Sequence, residues 1–382
     1  TIFPSQTRSA TRINSSVAQA KSSSVRQSEA SGSSIWASNP AEIIGTKPRA
    51  LAASLYQYLV TDETWAEQRQ AYGYRDARPV PLMRYFAGQP YIDVRASLNS
   101  FIPAEVDDEL AGRLVDAGLR RLTDNPQWHD KLEFEIALTA YPLDFAARSA
   151  WLRDAGFSAG ELASLGEALR RLTRAAVTRS ADDLAMLDVL EQRGQAVMRS
   201  TQPPLDQALA LLAHCRRWGV LPFAHLARGA FVAMLLLRSA EAAGRLTADA
   251  VEAFLESIRT VSHALAADGA AVAAGGLAWT DYVDRYGHLR PGTYVSNAKL
   301  PALIERVLVA RDAEVTAAEL GRFLRQTIEG REFAKFRFTR YLSAALERIA
   351  GFGAELGLDR DTLAHLGLDD LAALRDGRCL EA

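Results

Sequence analysis

Cysteine is nearly absent, with Cys215 and Cys379 the two that the chain carries. Two thiols so far apart in sequence cannot build a disulfide framework and do not make a zinc-ligand spacing. A reducing compartment, the cytoplasm, fits that usage best. Other signatures are missing too: there is no His-Glu-x-x-His, no acidic calcium loop and no Gly-x-x-x-x-Gly-Lys-Ser/Thr phosphate loop. The sequence therefore offers no support for metal catalysis and no metal ligands. An excess of one charge is lacking as well, since the formal net charge is -2 over 382 residues. No global basic field points to nucleic acid. Long apolar runs are also missing: Phe231–Leu237 stops at Arg238, well short of the roughly 20 residues that span a bilayer. It reads as a buried helix, and no membrane partner is expected. No fixed-period repeat indicates a solenoid.

What remains is an ordinary globular composition, 48% apolar and 24% charged, on a chain long enough for two or three packed units. Residues 1–38 are the exception. They are rich in serine, hold Glu29 as their only acid and show no apolar period, so they read as a disordered, loosely draped segment. Order is expected to begin near Asn39, and residues 39–382 read as one helical domain or as two subdomains divided near residue 200.

A helix follows Pro48 with Leu51, Leu55, Tyr58 and Leu59 on one side, and another follows Thr61-Asp62. From Pro79 to Pro103 the pattern changes. Gly88-Gln89-Pro90 lies between aromatic and β-branched residues, which is the mark of a short hairpin. Strand alternation there puts Asp93, Arg95 and Ser97 on one face, making Arg95 and Asn99 candidates for a polar site wall. Helical periodicity then takes over, over Glu105–Leu122 and over Leu162–Met198, the second as one bent helix or an antiparallel pair. Between them Lys131, Glu133 and Glu135 alternate with Leu132, Phe134 and Ile136, which suits an exposed strand. Further helices are expected over Leu205–Trp218, Leu221–Arg238, Thr247–Ala266 and Phe333–Phe352, with a Thr316–Glu319 capping box opening another and short helices near Thr362–His365 and Asp369–Arg375. The fold class is mainly α, an irregular multi-helix arrangement with one small β-hairpin element near residues 84–101.

One segment gathers chemistry-capable side chains where the chain must leave helical geometry. In Asp284–Tyr294, Gly287, Pro291 and Gly292 interrupt a helix beside Arg285, Tyr286, His288, Arg290 and Tyr294. His288 can exchange a proton near neutral pH, and Arg285 and Arg290 can fork onto a carboxylate or phosphate. The bland alternative is a turn histidine bonded to a backbone carbonyl, with solvated arginines. Gly156-Phe157-Ser158-Ala159-Gly160 matches a serine-hydrolase elbow but lacks the strand before it, so Ser158 and Glu161 read as a helix capping box. Gly351-Phe352-Gly353 reads as a helix terminator. Cys215 reads as packing, with His225 and Arg228, one helical turn apart, as weaker site candidates.

Several segments together carry a resemblance: Asn39–Gly45, Pro90–Phe101, His129–Glu135, Leu221–Arg228, Tyr286–Tyr294 and Phe333–Phe336. They resemble bacterial proteins related to phosphoenolpyruvate synthase, the phosphoenolpyruvate/pyruvate-binding-domain phosphotransferases, and more distantly the central domain of rifampicin phosphotransferases. Such proteins join an ATP-grasp domain, a central substrate domain and a swivelling domain whose histidine carries the phosphoryl group. This chain is similar to the central part only; no Thr-Ser-His carrier segment and no ATP-grasp signature stand in it. The resemblance implies an acceptor-substrate-binding domain for a small anionic or hydroxylated molecule. ATP and Mg belong to the full family architecture, with the ATP-grasp and phosphohistidine domains as partners in cis or in trans. It implies His288 as the catalytic group and Arg290, Tyr286, Arg285, Arg95, Asn99, Arg340 and Lys335 as substrate-binding groups, in a polar cavity shared by the Tyr286–Tyr294 turn and the hairpin. The alternatives are a non-catalytic helical scaffold that binds a ligand or protein and, remotely, a hydrolase using Ser158.

Overall fold

The computed structural model describes residues 25–28, 34–37, 40–258, 261–289 and 316–378. They are mainly helical, with one small sheet. The chain divides into two compact units. One comprises Pro142–Asp144 and Thr173–Phe352, and the other comprises the described residues up to Tyr141, Phe145–Leu172 and those from Gly353 onward.

The second of these units holds the sheet, antiparallel in the order β1 (Val25–Ser28), β2 (Ser34–Ala37), β4 (Gln89–Asp93), β3 (Met83–Phe86). The expected hairpin is there, closed by Ala87 and Gly88 at φ 50° and 77°. Two consecutive left-handed residues match the twist of the flanking strands, and glycine accepts that backbone at little cost. Pro90 donates no hydrogen bond, yet it sits in an inner strand. This is tolerated because β2 pairs with β4 only at Ile92 and Asp93, beyond the proline's reach.

Three expectations are corrected in this unit. Residues 1–38 are not uniformly without structure, because Val25–Ser28 and Ser34–Ala37 are strands. Ile35 and Ala37 are buried against Val94, Leu98, Val115 and Leu122, a non-local partnership that serine-rich local composition conceals. The strand alternation also stops at Asp93, which caps the helix Val94–Asn99 by accepting the Ala96 N–H at 3.0 Å. Finally, the charged alternation after Trp128 is a helical turn rather than an exposed strand. A 3-10 turn over Pro126–Trp128 leads into Leu132–Ile136, where Leu132 and Ile136, four residues apart, both face inward.

The main core of this unit packs the helix Asp108–Asp124 against the start of Ala159–Met198 through Leu110, Leu114, Leu162, Leu165 and Leu169. Ser158 opens that long helix as a capping box. Its backbone N–H donates to Glu161 Oε2 at 2.7 Å, and the Glu161 N–H donates to Ser158 Oγ at 3.2 Å. Ser158→Ala is expected to lower stability by about 1 kcal/mol in urea unfolding, and wild-type Ser158 is expected not to react with a fluorophosphonate. Labelling at Ser158 would overturn the capping role. Gly351 and Gly353, by contrast, do not end a helix. They lie inside Ala317–Glu355, and Gly353 has no room for a Cβ beside Leu363. The chain turns out at Gly357, at φ +73°, the left-handed conformation that commonly closes a helix.

In the other unit, Pro204–His214, the wider turn Cys215–Val220 and Leu221–Ala242 form one unbroken helical run where two helices were expected. That run is long and apolar enough to cross a membrane, but it is mostly buried within the protein, as a core helix is. Cys215 is completely buried, and burial pushes its thiol up to about 12, so the thiolate that would react is suppressed. The helix expected over Thr247–Ala266 is two. Thr247 caps Ala248–Ser257, whose C-cap is Ile258, and Val261–Ala273 follows. The Thr316–Glu319 box opens Ala317–Glu355, a single helix that contains the expected Phe333–Phe352. Leu162–Met198 is likewise part of one helix.

Candidate functional site

Helix Trp279–Tyr286 carries the first half of the segment singled out above, so Asp284, Arg285 and Tyr286 are helical and the chain leaves the helix at Gly287. Arg290 and everything on to Tyr294 lie outside the described residues. Arg285 is committed to Asp268 in an ion pair, and the Tyr286 hydroxyl donates to the same carboxylate at 2.8 Å. The Tyr286 hydrogen bond, with Arg285, holds Asp268 below the usual carboxylate range, while burial first and Asp268 second push the Tyr286 phenol up to about 12. Both side chains therefore meet on Asp268 in the neighbouring helix Val261–Ala273.

His288 is placed differently. It lines a cavity of about 160 Å³ with Leu289, Lys335, Thr339, Leu342, Ser343 and Leu346. The last five fall at i, i+4, i+7, i+8 and i+11 from Lys335 and so form one face of the helix Ala317–Glu355. His288 Nε2 lies 3.0 Å from the Phe336 carbonyl, and a carbonyl can only accept, so Nε2 carries the proton and Nδ1 the lone pair. Burial lowers the His288 pKa and the Arg340 charge lowers it further, against the raising effect of the Phe336 bond. The ring is thus neutral at pH 7. It packs on Phe336, at 4.8 Å between centroids, and Phe336 in turn packs on Tyr286 at 5.7 Å.

Lys335 supplies the cavity's cation. Burial, followed by the Arg331 charge, lowers its pKa, and the Glu332 charge partly opposes this. Thr339 Oγ1 donates to the Lys335 carbonyl at 2.9 Å, leaving its oxygen as an acceptor. Ser343 adds a second hydroxyl, and Leu289, Leu342 and Leu346 make the remaining wall apolar. A cation, a neutral imidazole and hydroxyls beside leucines suit a small ligand with one charged end.

Of the residues read from sequence, the cavity brings together His288 and Lys335. Arg340 does not line it; its guanidinium stands 3.9 Å from Glu191 and acts on His288 only through charge. Arg95 pairs with Asp116 at 2.9 Å, and Asn99 sits at the end of its short helix. Among the described residues that line this cavity, none comes from the Pro90–Phe101 segment. Thr339, Ser343 and Leu346 were missed, although helical spacing from Lys335 placed them on its face.

His225 and Arg228 lie in a second constellation, deep in the core. His225 Nδ1 is 2.8 Å from Asp183 Oδ1, and Arg179 forks onto the same carboxylate at 3.0 and 3.1 Å. Asp183, His225 and Arg228 are each less than 5% exposed. Burial alone would raise the Asp183 carboxyl, but the hydrogen bonds from His225 and Arg179 hold it low. This network is a core ion cluster, and Asp183 had no local signal to single it out. Among the described residues no group of three His, Cys, Asp or Glu side chains stands close enough to hold a metal. Comparison with family models, curated proteins and solved structures finds no match for this chain.

Proposed function

We propose that the His288–Lys335 cavity binds a small anionic, hydroxyl-bearing molecule and that the chain is the acceptor-substrate domain of a cytoplasmic phosphotransferase related to phosphoenolpyruvate synthase. The observation that carries this reading is the meeting of a neutral His288 with Lys335 and two hydroxyls in one cavity. Phosphoryl transfer is mainly positioning and charge neutralisation. Lys335 neutralises the acceptor's anionic end. His288 Nδ1 takes the acceptor hydroxyl proton as that oxygen bonds to phosphorus, and the phosphohistidine bond of a partner domain breaks. ATP and Mg act in the ATP-grasp partner, outside this chain.

Titration calorimetry with pyruvate, phosphoenolpyruvate and a sugar phosphate tests it. At least one is expected to bind, with affinity falling tenfold or more in Lys335→Met. His288→Gln is expected to keep most of the affinity while phosphoryl transfer, in the presence of the partner domains, falls about 10²–10⁴-fold, the usual share of general acid–base catalysis. A folded protein that binds none of these anions would favour the second reading, a non-catalytic scaffold. That reading draws on helix Trp279–Tyr286, where Trp279 and Val283 are 66% and 42% exposed, an apolar face of the kind that protein partners cover.

A further inference from the structure

Basic residues in this chain are overwhelmingly arginine: of 44, five are lysines, at positions 21, 47, 131, 299 and 335. A cavity that needed only a fixed positive charge could use the residue the chain uses everywhere else. A lysine offers what a guanidinium cannot, an amine that becomes a nucleophile once it loses its proton. Lys335 meets the conditions for this. It lines the cavity beside Leu289, Leu342 and Leu346, and burial, followed by the Arg331 charge and against that of Glu332, disfavours its ammonium form. Across the same cavity stands His288, whose Nε2–H is tied to the Phe336 carbonyl, so that its Nδ1 lone pair is the proton acceptor.

We propose that Lys335 is a carbonyl-capture site, condensing with a small aldehyde or ketone that carries a carboxylate. This rests on the reading above that the cavity takes a small anion, and it names the reactive group such an anion would bear. The Nζ lone pair bonds to the carbonyl carbon while the C=O π pair moves to oxygen. His288 Nδ1 takes one proton lost from nitrogen and returns it to that oxygen, giving the carbinolamine hydroxyl. A second proton, equivalent to the one the ammonium released to solvent before attack, is taken up by the hydroxyl, which leaves as water as the nitrogen lone pair forms the C=N bond. Lysine ammonium and carbonyl become protonated imine and water, with no oxidant or reductant. The protonated imine remains cationic, so the carboxylate keeps its counter-charge.

The test is reductive trapping of the full chain with glyoxylate and borohydride at neutral pH, read by peptide mass spectrometry. Lys335 is expected to gain the carboxymethyl group at least tenfold faster than Lys47 or Lys131, and the His288→Gln variant is expected to slow that gain severalfold. Lys335→Arg separates the two claims, because it keeps the charge and cannot form an imine. In this variant acetate binding, measured by calorimetry, is expected to persist while specific labelling disappears. Acetate binding in wild type without preferential labelling at Lys335 overturns carbonyl capture and leaves the anion site standing. Preferential labelling at Lys335 without acetate binding keeps capture and overturns the anion site, and loss of both overturns both. Should Lys335→Arg fail to fold, by its circular dichroism, the wild-type ratio of Lys335 to the other lysines decides alone.

Discussion

Replacing Asp183 with alanine is expected to destabilise the protein by about 3–5 kcal/mol, the cost of removing one partner from a buried ion pair. The carboxylate is 2% exposed and accepts both Arg179 and His225. Its loss removes the carboxylate partner of a buried imidazole and of a partly exposed arginine. Guanidinium unfolding should show the drop in midpoint with an unchanged slope. The pH dependence provides a second check. Asp183 is held below its ordinary 3.8 in the folded state, so its stabilisation is complete above 3.8 and is lost as pH falls through the lower folded value. His214 and His288 act at higher pH. Burial lowers both below their ordinary 6.5, so the unfolded chain takes up their protons first and stability declines as pH falls below 6.5. In Asp183→Ala the decline below 6.5 should persist, whereas the acid limb below 3.8 should flatten. An unchanged acid limb would remove Asp183 from the account.

Gly194→Ala is expected to cost about 1–3 kcal/mol, the range for overpacking a filled core. Gly194 lies in Ala159–Met198, and a Cβ built there would overlap the ring of Tyr341 from Ala317–Glu355. Tyr341 cannot retreat easily. It is fully buried, its hydroxyl donates to the Glu191 carbonyl at 3.2 Å, and its ring packs edge-on against His214 at 5.4 Å. The same change at Gly351, in the second of those helices, meets nothing within 4 Å. Gly351→Ala should therefore gain roughly 0.5–1 kcal/mol from helix propensity alone. Opposite signs in thermal or denaturant unfolding are the expected result. A destabilised Gly351→Ala, or a neutral Gly194→Ala, would contradict the packing described.

Local chemistry made the fold class legible in the sequence. Leucines at helical spacing, Ser158 with Glu161, Thr316 with Glu319, Thr247 before its helix and the turn before Pro90 all act through residues within four positions of one another. Such signals survive in the sequence because their physics is local. His288 and Lys335 were also legible as candidates, one at a helix break and the other on an amphipathic helix. Other features depended on groups distant in the chain. Strand 34–37 needed the edge of β4 as a partner and strand 25–28 needed strand 34–37, and the charged alternation after Trp128 was overruled by burial of Leu132 and Ile136. Asp183 acquired its meaning only from His225, 42 residues away. The grouping of His288 with Lys335, and the diversion of Arg95, Arg285 and Tyr286 to carboxylates of their own, were likewise decided by tertiary structure. A charged side chain takes whichever counter-charge packing brings within reach, and sequence spacing does not report that distance.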